Sequence, residues 1–134
     1  MRIQLPKQAK GLLLLVGAIF AAIGVLGLYS PIDVIGATGL QAPNIGARSE
    51  VRATYGGVYL LFGLYFLWSA FRNGWRLPAL RVAAVFLGGL VLGRVVSFIV
   101  DGASINPWIW VFAVIEIVLF GLSTWVVVRD SRAS

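Results

Sequence analysis

Four apolar runs, each about as long as a bilayer is thick, constrain this chain more than any other feature. "GLLLLVGAIFAAIGVLGLY" covers Gly11–Tyr29, and "ATYGGVYLLFGLYFLWSAF" covers Ala53–Phe71. The latter reads as the apolar part of a helix that starts earlier, so the second span is taken as about 48–71. "PALRVAAVFLGGLVLGRVVSFIV" covers Pro78–Val100, and "PWIWVFAVIEIVLFGLSTWVVV" covers Pro107–Val128. A hydrocarbon core about 30 Å thick is crossed by about 20 apolar residues in a helix. Backbone groups left unpaired in lipid are too costly, so successive runs of this kind demand helices.

Composition closes off the soluble alternative. Of 134 residues, 60% are hydrophobic and 12% charged, where soluble domains carry about 25% charged residues. So short a chain cannot hide that much apolar surface in a core of its own. The expected fold class is all-α: an integral membrane four-helix bundle forming a single transmembrane domain over residues 1–134. Pro78 and Pro107 are expected at helix starts, where a missing N–H costs little. The first run, with Arg2, Lys7 and Lys10 before it, has the basic front of a signal peptide. It is too long for one, and no small-x-small cleavage site follows, so it is read as a retained span.

The basic residues set a direction. Arg2, Lys7 and Lys10 precede the first span, Arg72, Arg76 and Arg81 lie in or beside "RNGWRLPALR", and Arg129 and Arg132 follow the fourth. With four spans all of these fall on one side. The other side carries Asp33, Arg48, Glu50, Arg52 and Asp101, with no positive excess. The positive-inside rule then puts both termini in the cytoplasm of a multi-pass protein of the bacterial inner membrane. Topology thus accounts for the net charge of +6, and no nucleic-acid partner is expected. Trp75, Trp108, Trp110 and Trp125 lie near span ends, as interfacial anchors do.

The chain has no Cys and no His. Disulfides, thiol nucleophiles, Cys/His zinc sites and His-ligated haem are excluded, and no metal or cofactor is expected. The segment Ser30–Gly46 is long for a connection between two helices and rich in Gly and Pro, and it is expected to fold over the outer mouth. "DGASIN" reads as a tight turn.

Two ionisable residues lie deep in the spans. Arg94 is about six residues before the outer end of the third, and Glu116 about nine past the outer start of the fourth. At 1.5 Å per residue their depths are roughly 9 and 13 Å, close enough for the side chains to meet. Each would cost about 2.5–3.5 kcal/mol facing lipid, so both are expected to turn inward and find partners. Arg94 and Asp101, seven apart, share a helix face, as do Arg48, Arg52, Tyr55 and Tyr59. Glu50, Thr54 and Gly57 form a neighbouring stripe. The second helix is therefore expected to begin near Asn44 to Ala47. Glu50, Arg52, Arg94, Asp101 and Glu116 would form one network around an outer-leaflet pocket walled by Tyr55 and Tyr59. The plainer alternatives stay open: a purely structural Arg94–Glu116 bridge, and interfacial charges at Arg48 to Arg52 and at Asp101. Gly17, Ala21 and Gly24 read as a helix-packing groove, and Gly56 and Gly57 as sites of close helix approach.

At "SEVRATYGG" in the second span, "LGRVVSFIVDG" in the third and Glu116 in the fourth, the chain resembles a bacterial family of small four-span membrane proteins. That family is classed as a domain of unknown function, of the forty-three-forty-five type, and the pattern covers most of the chain from Glu50 onward. More loosely, the chain is similar to DoxX-like four-helix membrane proteins, some of which are linked with redox assemblies. The resemblance implies the four-span architecture and points at Glu50, Arg52, Tyr55, Gly57, Arg94, Asp101 and Glu116. It implies no reaction.

Three functions fit these features. One is a binding or accessory module whose outer pocket takes a membrane lipid, a quinone or another amphipathic small molecule, or a subunit of a larger membrane complex. Another is a small proton-linked transporter using Glu116. The last is a membrane enzyme using Glu116 or Asp101 as acid or base, a reading for which the sequence offers no nucleophile–base pair, metal cluster or phosphate loop.

Overall fold

The computed structural model describes residues 5–133, so Arg2 of the basic front lies outside the described residues. The chain folds into helix α1 (Leu5–Tyr29), a short α2 (Pro31–Gly36), α3 (Ile45–Val51), a π-helical segment (Arg52–Val58), α4 (Tyr59–Ala70), α5 (Asn73–Asp101) and α6 (Pro107–Ala133). There is no strand among the described residues. Helices α1, α5 and α6 are each long and apolar enough to cross a membrane. The pieces α3, π segment and α4 follow one another without a break and make a fourth long rod. The regular α4 part of that rod has only 12 residues, about 18 Å.

Local chemistry explains several ends. Asn44 caps α3, its Oδ1 accepting from the Ala47 N–H at 2.8 Å. Helix α6 opens on Pro107, as its fixed φ favours. Pro78 departs from the expected position: α5 begins at Asn73, so Pro78 lies inside the helix. The reversal between α4 and α5 takes only Phe71 and Arg72. Arg76 then reaches back from the new helix, its Nε donating to the Ala70 carbonyl at 2.7 Å. That bond satisfies one of the orphan carbonyls ending α4.

Packing begins with α1 against the α4 rod, which run antiparallel and very close. A Cβ built on Gly17 would meet Leu67 Cγ at 2.9 Å, and one on Gly27 would meet the Tyr55 carbonyl oxygen at 2.5 Å. Cβ atoms on Gly24 and Gly63 would collide with the backbones of Leu60 and Ala21. The seam is therefore Gly17, Ala21, Gly24 and Gly27 against Gly56, Leu60, Gly63 and Leu67. Small residues matter here because, in lipid, helices gain by dispersion at close range rather than by excluding water. Gly57 does not share this role: its Cβ would find only the Arg52 carbonyl, 3.9 Å away.

The dense core lies toward the end that carries the basic residues. Leu13, Val16, Phe20, Phe66, Leu80, Leu87, Leu119 and Val126 pack there with almost no exposure. The rim of this end pairs cations with rings: Lys10 over Phe71 at 4.9 Å, Arg72 over Trp68 at 5.3 Å and Arg129 over Trp125 at 4.7 Å. At the opposite end, the loop end, the last turns of α5 and the first turns of α6 leave most apolar side chains uncovered, Val95, Ile99, Val114 and Ile115 among them. The Ser30–Gly46 segment, with Ile35 of α2 buried, crosses this end. It is tied to the α5–α6 turn by the Asn106 Nδ2 donating to the Ala37 carbonyl at 2.8 Å.

Candidate functional site

Arg94 of α5 and Glu116 of α6 meet side-on. Arg94 Nε donates to Glu116 Oε2 at 2.9 Å, and Nη2 to Oε1 at 2.8 Å. Both carboxylate oxygens are engaged, in the forked geometry that makes arginine–carboxylate pairs strong. The Glu116 side chain is 14% exposed and that of Arg94 31%. Of the two partners, the arginine is the one that keeps an open face.

That face looks onto a cavity of about 480 Å³ between the π-helical segment, α5 and α6, within the roughly 300–1,000 Å³ typical of small-molecule sites. Tyr55, Gly89, Gly93, Arg94, Ser97 and Trp110 line it, with Thr38 and Ser104 contributed by the two loops. The π-helical segment aims the first of these. A π-helix closes each turn with an extra residue, and such stretches concentrate at functional sites. Here the segment passes Gly27 and Leu28 of α1 at backbone distance, with Gly56 buried on that seam and Tyr55 turned to the cavity.

Beneath the cavity, toward the dense core, the rings close ranks. Tyr55 stacks on Tyr59 with centroids 5.8 Å apart and planes 5° from parallel. Tyr59 meets Phe20 at 4.9 Å and Phe86 edge-on at 5.5 Å, and Phe62 and Phe66 continue the cluster. Tyr59 is thus part of an aromatic floor and does not line the cavity.

The expected five-residue charge network does not form. Only Arg94 and Glu116 join. Arg52 instead donates from Nε to the Leu28 carbonyl at 3.2 Å, where a cation suits the negative end of α1. Asp101 is exposed at the end of α5, and its Oδ2 accepts from Ser97 Oγ at 3.2 Å. Glu50 is exposed, and its carbonyl, not its carboxylate, takes the Thr54 hydroxyl at 2.8 Å. Arg48 is half-buried, with Nε enclosed and lacking an acceptor. These groups sit at the polar rim of the loop end, where they do not need one another.

Sequence reasoning missed Gly89, Gly93, Ser97 and Asn106. The first three were legible as small residues four apart on the face of α5 next to Arg94. Asn106 was legible as a cap residue immediately before Pro107. It accepts from the Trp108 N–H at 3.0 Å, while Trp110 Nε1 donates to the Ser104 carbonyl at 2.9 Å, so the turn holds the cavity wall in place.

No curated protein and no solved structure matches this chain significantly. A family model does: the one described as Domain of unknown function (DUF4345) matches residues 8–127. With that match spanning nearly the whole length, and with the motif residues in the places described above, the chain belongs to the DUF4345 family.

Proposed function

We propose that this protein is a four-span bundle of the bacterial inner membrane, with both termini in the cytoplasm. On this reading it is a binding or accessory module. One amphipathic molecule, a lipid, a quinone or a relative of these, sits in its outer-leaflet cavity, either for its own sake or as part of a larger membrane complex. One observation carries the reading: Arg94, its guanidinium held on one edge by Glu116, lines a cavity of ligand size with apolar and hydroxyl-bearing walls. A polar fixing point inside a mostly apolar pocket is how such molecules are oriented.

Proton-linked transport through Glu116 finds less support. Both of its oxygens are committed to Arg94, and the aromatic floor stands between the cavity and the basic end. Acid–base catalysis finds less again, because Asp101 is exposed at the rim with Ser97 as its partner.

Native mass spectrometry of the protein released from nanodiscs tests the binding reading. A bound small molecule is expected on the wild type and absent from Gly93→Leu, whose side chain would occupy the cavity. Equal occupancy in both would refute the site. The topology has its own check, because the chain has no Cys. Single cysteines at 103 and 131 should label from opposite faces of the membrane, with 131 reached from the cytoplasm, and labelling from one face alone would contradict four spans.

A further inference from the structure

Two adjacent glycines of α5 behave in opposite ways. A Cβ on Gly88 would press on the Phe120 ring at 2.9 Å, so its absence lets α6 approach. Gly89 and Gly93 line the cavity, and a Cβ on either would meet nothing within 4 Å. Each costs helix stability relative to alanine and gains no close packing in return. Their effect is to leave one face of α5, beside Arg94, as bare backbone. A branched or bulky head would touch such a strip at a few points, whereas a flat ring can lie along it. Phe98 and Trp110, edge to face at 6.1 Å, close one side.

Charge narrows the head further. Glu116 takes Nε and Nη2 of Arg94 and cancels its charge, leaving Nη1 as a donor without an acceptor among the described residues. The rest of the loop end carries Asp33, Glu50 and Asp101 against Arg48 and Arg52, an excess of one negative charge. An anionic head would give up its water without meeting a net positive field. An uncharged acceptor oxygen gives up less and still gains a hydrogen bond to an ionised donor, which is stronger than one to a neutral group.

We infer that the head bound here is a flat, uncharged ring carrying a carbonyl-type oxygen, the chemistry of a quinone, laid on Gly89 and Gly93 with that oxygen on the free edge of Arg94. The inference rests on the cavity's being a ligand site, as proposed above. It concerns binding alone and involves no transfer of electrons.

The test uses the full chain in phosphatidylcholine nanodiscs and a decyl-substituted benzoquinone as probe, read by quenching of tryptophan fluorescence, since Trp110 stands at the cavity wall. Decyl phosphate, with the same tail and an anionic head, is the competitor. Gly93→Val fills the bare strip of α5. Gly121→Val is the control, because Gly121 is exposed, lies outside the cavity and has equally open surroundings. Thermal unfolding of each variant shows that the fold is kept.

Saturable quenching is expected in the wild type and in Gly121→Val, weakened about tenfold or more in Gly93→Val, with decyl phosphate failing to compete. Quenching that does not saturate, or that is the same in Gly93→Val, overturns the inference. If decyl phosphate binds instead and Gly93→Val abolishes that binding, the uncharged head is wrong and the pocket stands. If Gly93→Val alters the binding of neither probe nor of any co-purifying molecule, the pocket falls as well.

Discussion

The two ends of this molecule are built from the same helices by different means. At the basic end, shape does the holding. Phe66, Leu13, Leu80 and Leu87 are enclosed there, above a glycine seam that lets α1 and the α4 rod touch backbone to backbone from Gly17 onward. At the loop end, α5 and α6 stand away from the α4 rod. On one side of the gap a forked ion pair ties α5 to α6, on the other the π-helical segment carries the rod past it, and an asparagine reaches between the loops at its mouth. Close packing leaves no room for a ligand, and polar bridges spanning a gap do. The contrast places the candidate site where dispersion is weakest and directional bonds carry the structure.

Removing half of the ion pair should break this comparison hardest. Glu116→Gln leaves Arg94 at the cavity wall with only an amide to face, and breaking a buried pair in this way costs about 3–5 kcal/mol. Because Arg94 is partly exposed, the lower part of that range is expected for the unfolding of the detergent-solubilised protein. A variant that melts with the wild type would show that the loop end does not depend on charge.

A second comparison sets two glycines against each other. Gly63→Val would drive a side chain into the backbone of Ala21, and overpacking of this kind costs about 1–3 kcal/mol. Gly93→Val meets open space and should be neutral or slightly stabilising, since valine is a better helix former than glycine by a few tenths of a kcal/mol. Thermal melts of the two variants side by side check this, and equal losses would erase the distinction between a packed half and an open one.

The smallest expected effect is at Asn106. It caps α6 and ties the turn to Ala37, so Asn106→Ala should cost about 1 kcal/mol. Hydrogen exchange should rise in residues 37–40 and 103–108 and remain unchanged at the Gly17–Leu67 seam. Faster exchange at that seam as well would mean that the two ends unfold as one unit.

The sequence disclosed most where physics allows a single solution. Apolar runs as long as a bilayer is thick must be helices, and an arginine and a glutamate at matching depths have little choice but to meet. It disclosed less where the outcome depends on a neighbour. Gly63 closes a seam and Gly93 keeps a space open, yet in the sequence both are glycines in an apolar helix. Gly57 looked like a contact glycine and Gly27 was overlooked, because only the packed pair of helices reveals which glycines face each other. The π-helical segment has no composition of its own. Arg52 was expected in a charge cluster, but the end of α1 offers its guanidinium a carbonyl one step away. Pro78 suggested a helix start that actually lies at Asn73, where the chain turns and Arg76 reaches back to cap α4.

The claim that charge holds the loop end together is tested most directly by a double-mutant cycle on thermal unfolding with Arg94→Gln, Glu116→Gln and the two combined. The account predicts a coupling energy of about 2 kcal/mol, with the double variant more stable than the sum of the single losses implies. Strictly additive losses would mean that the two side chains act independently, and would contradict it.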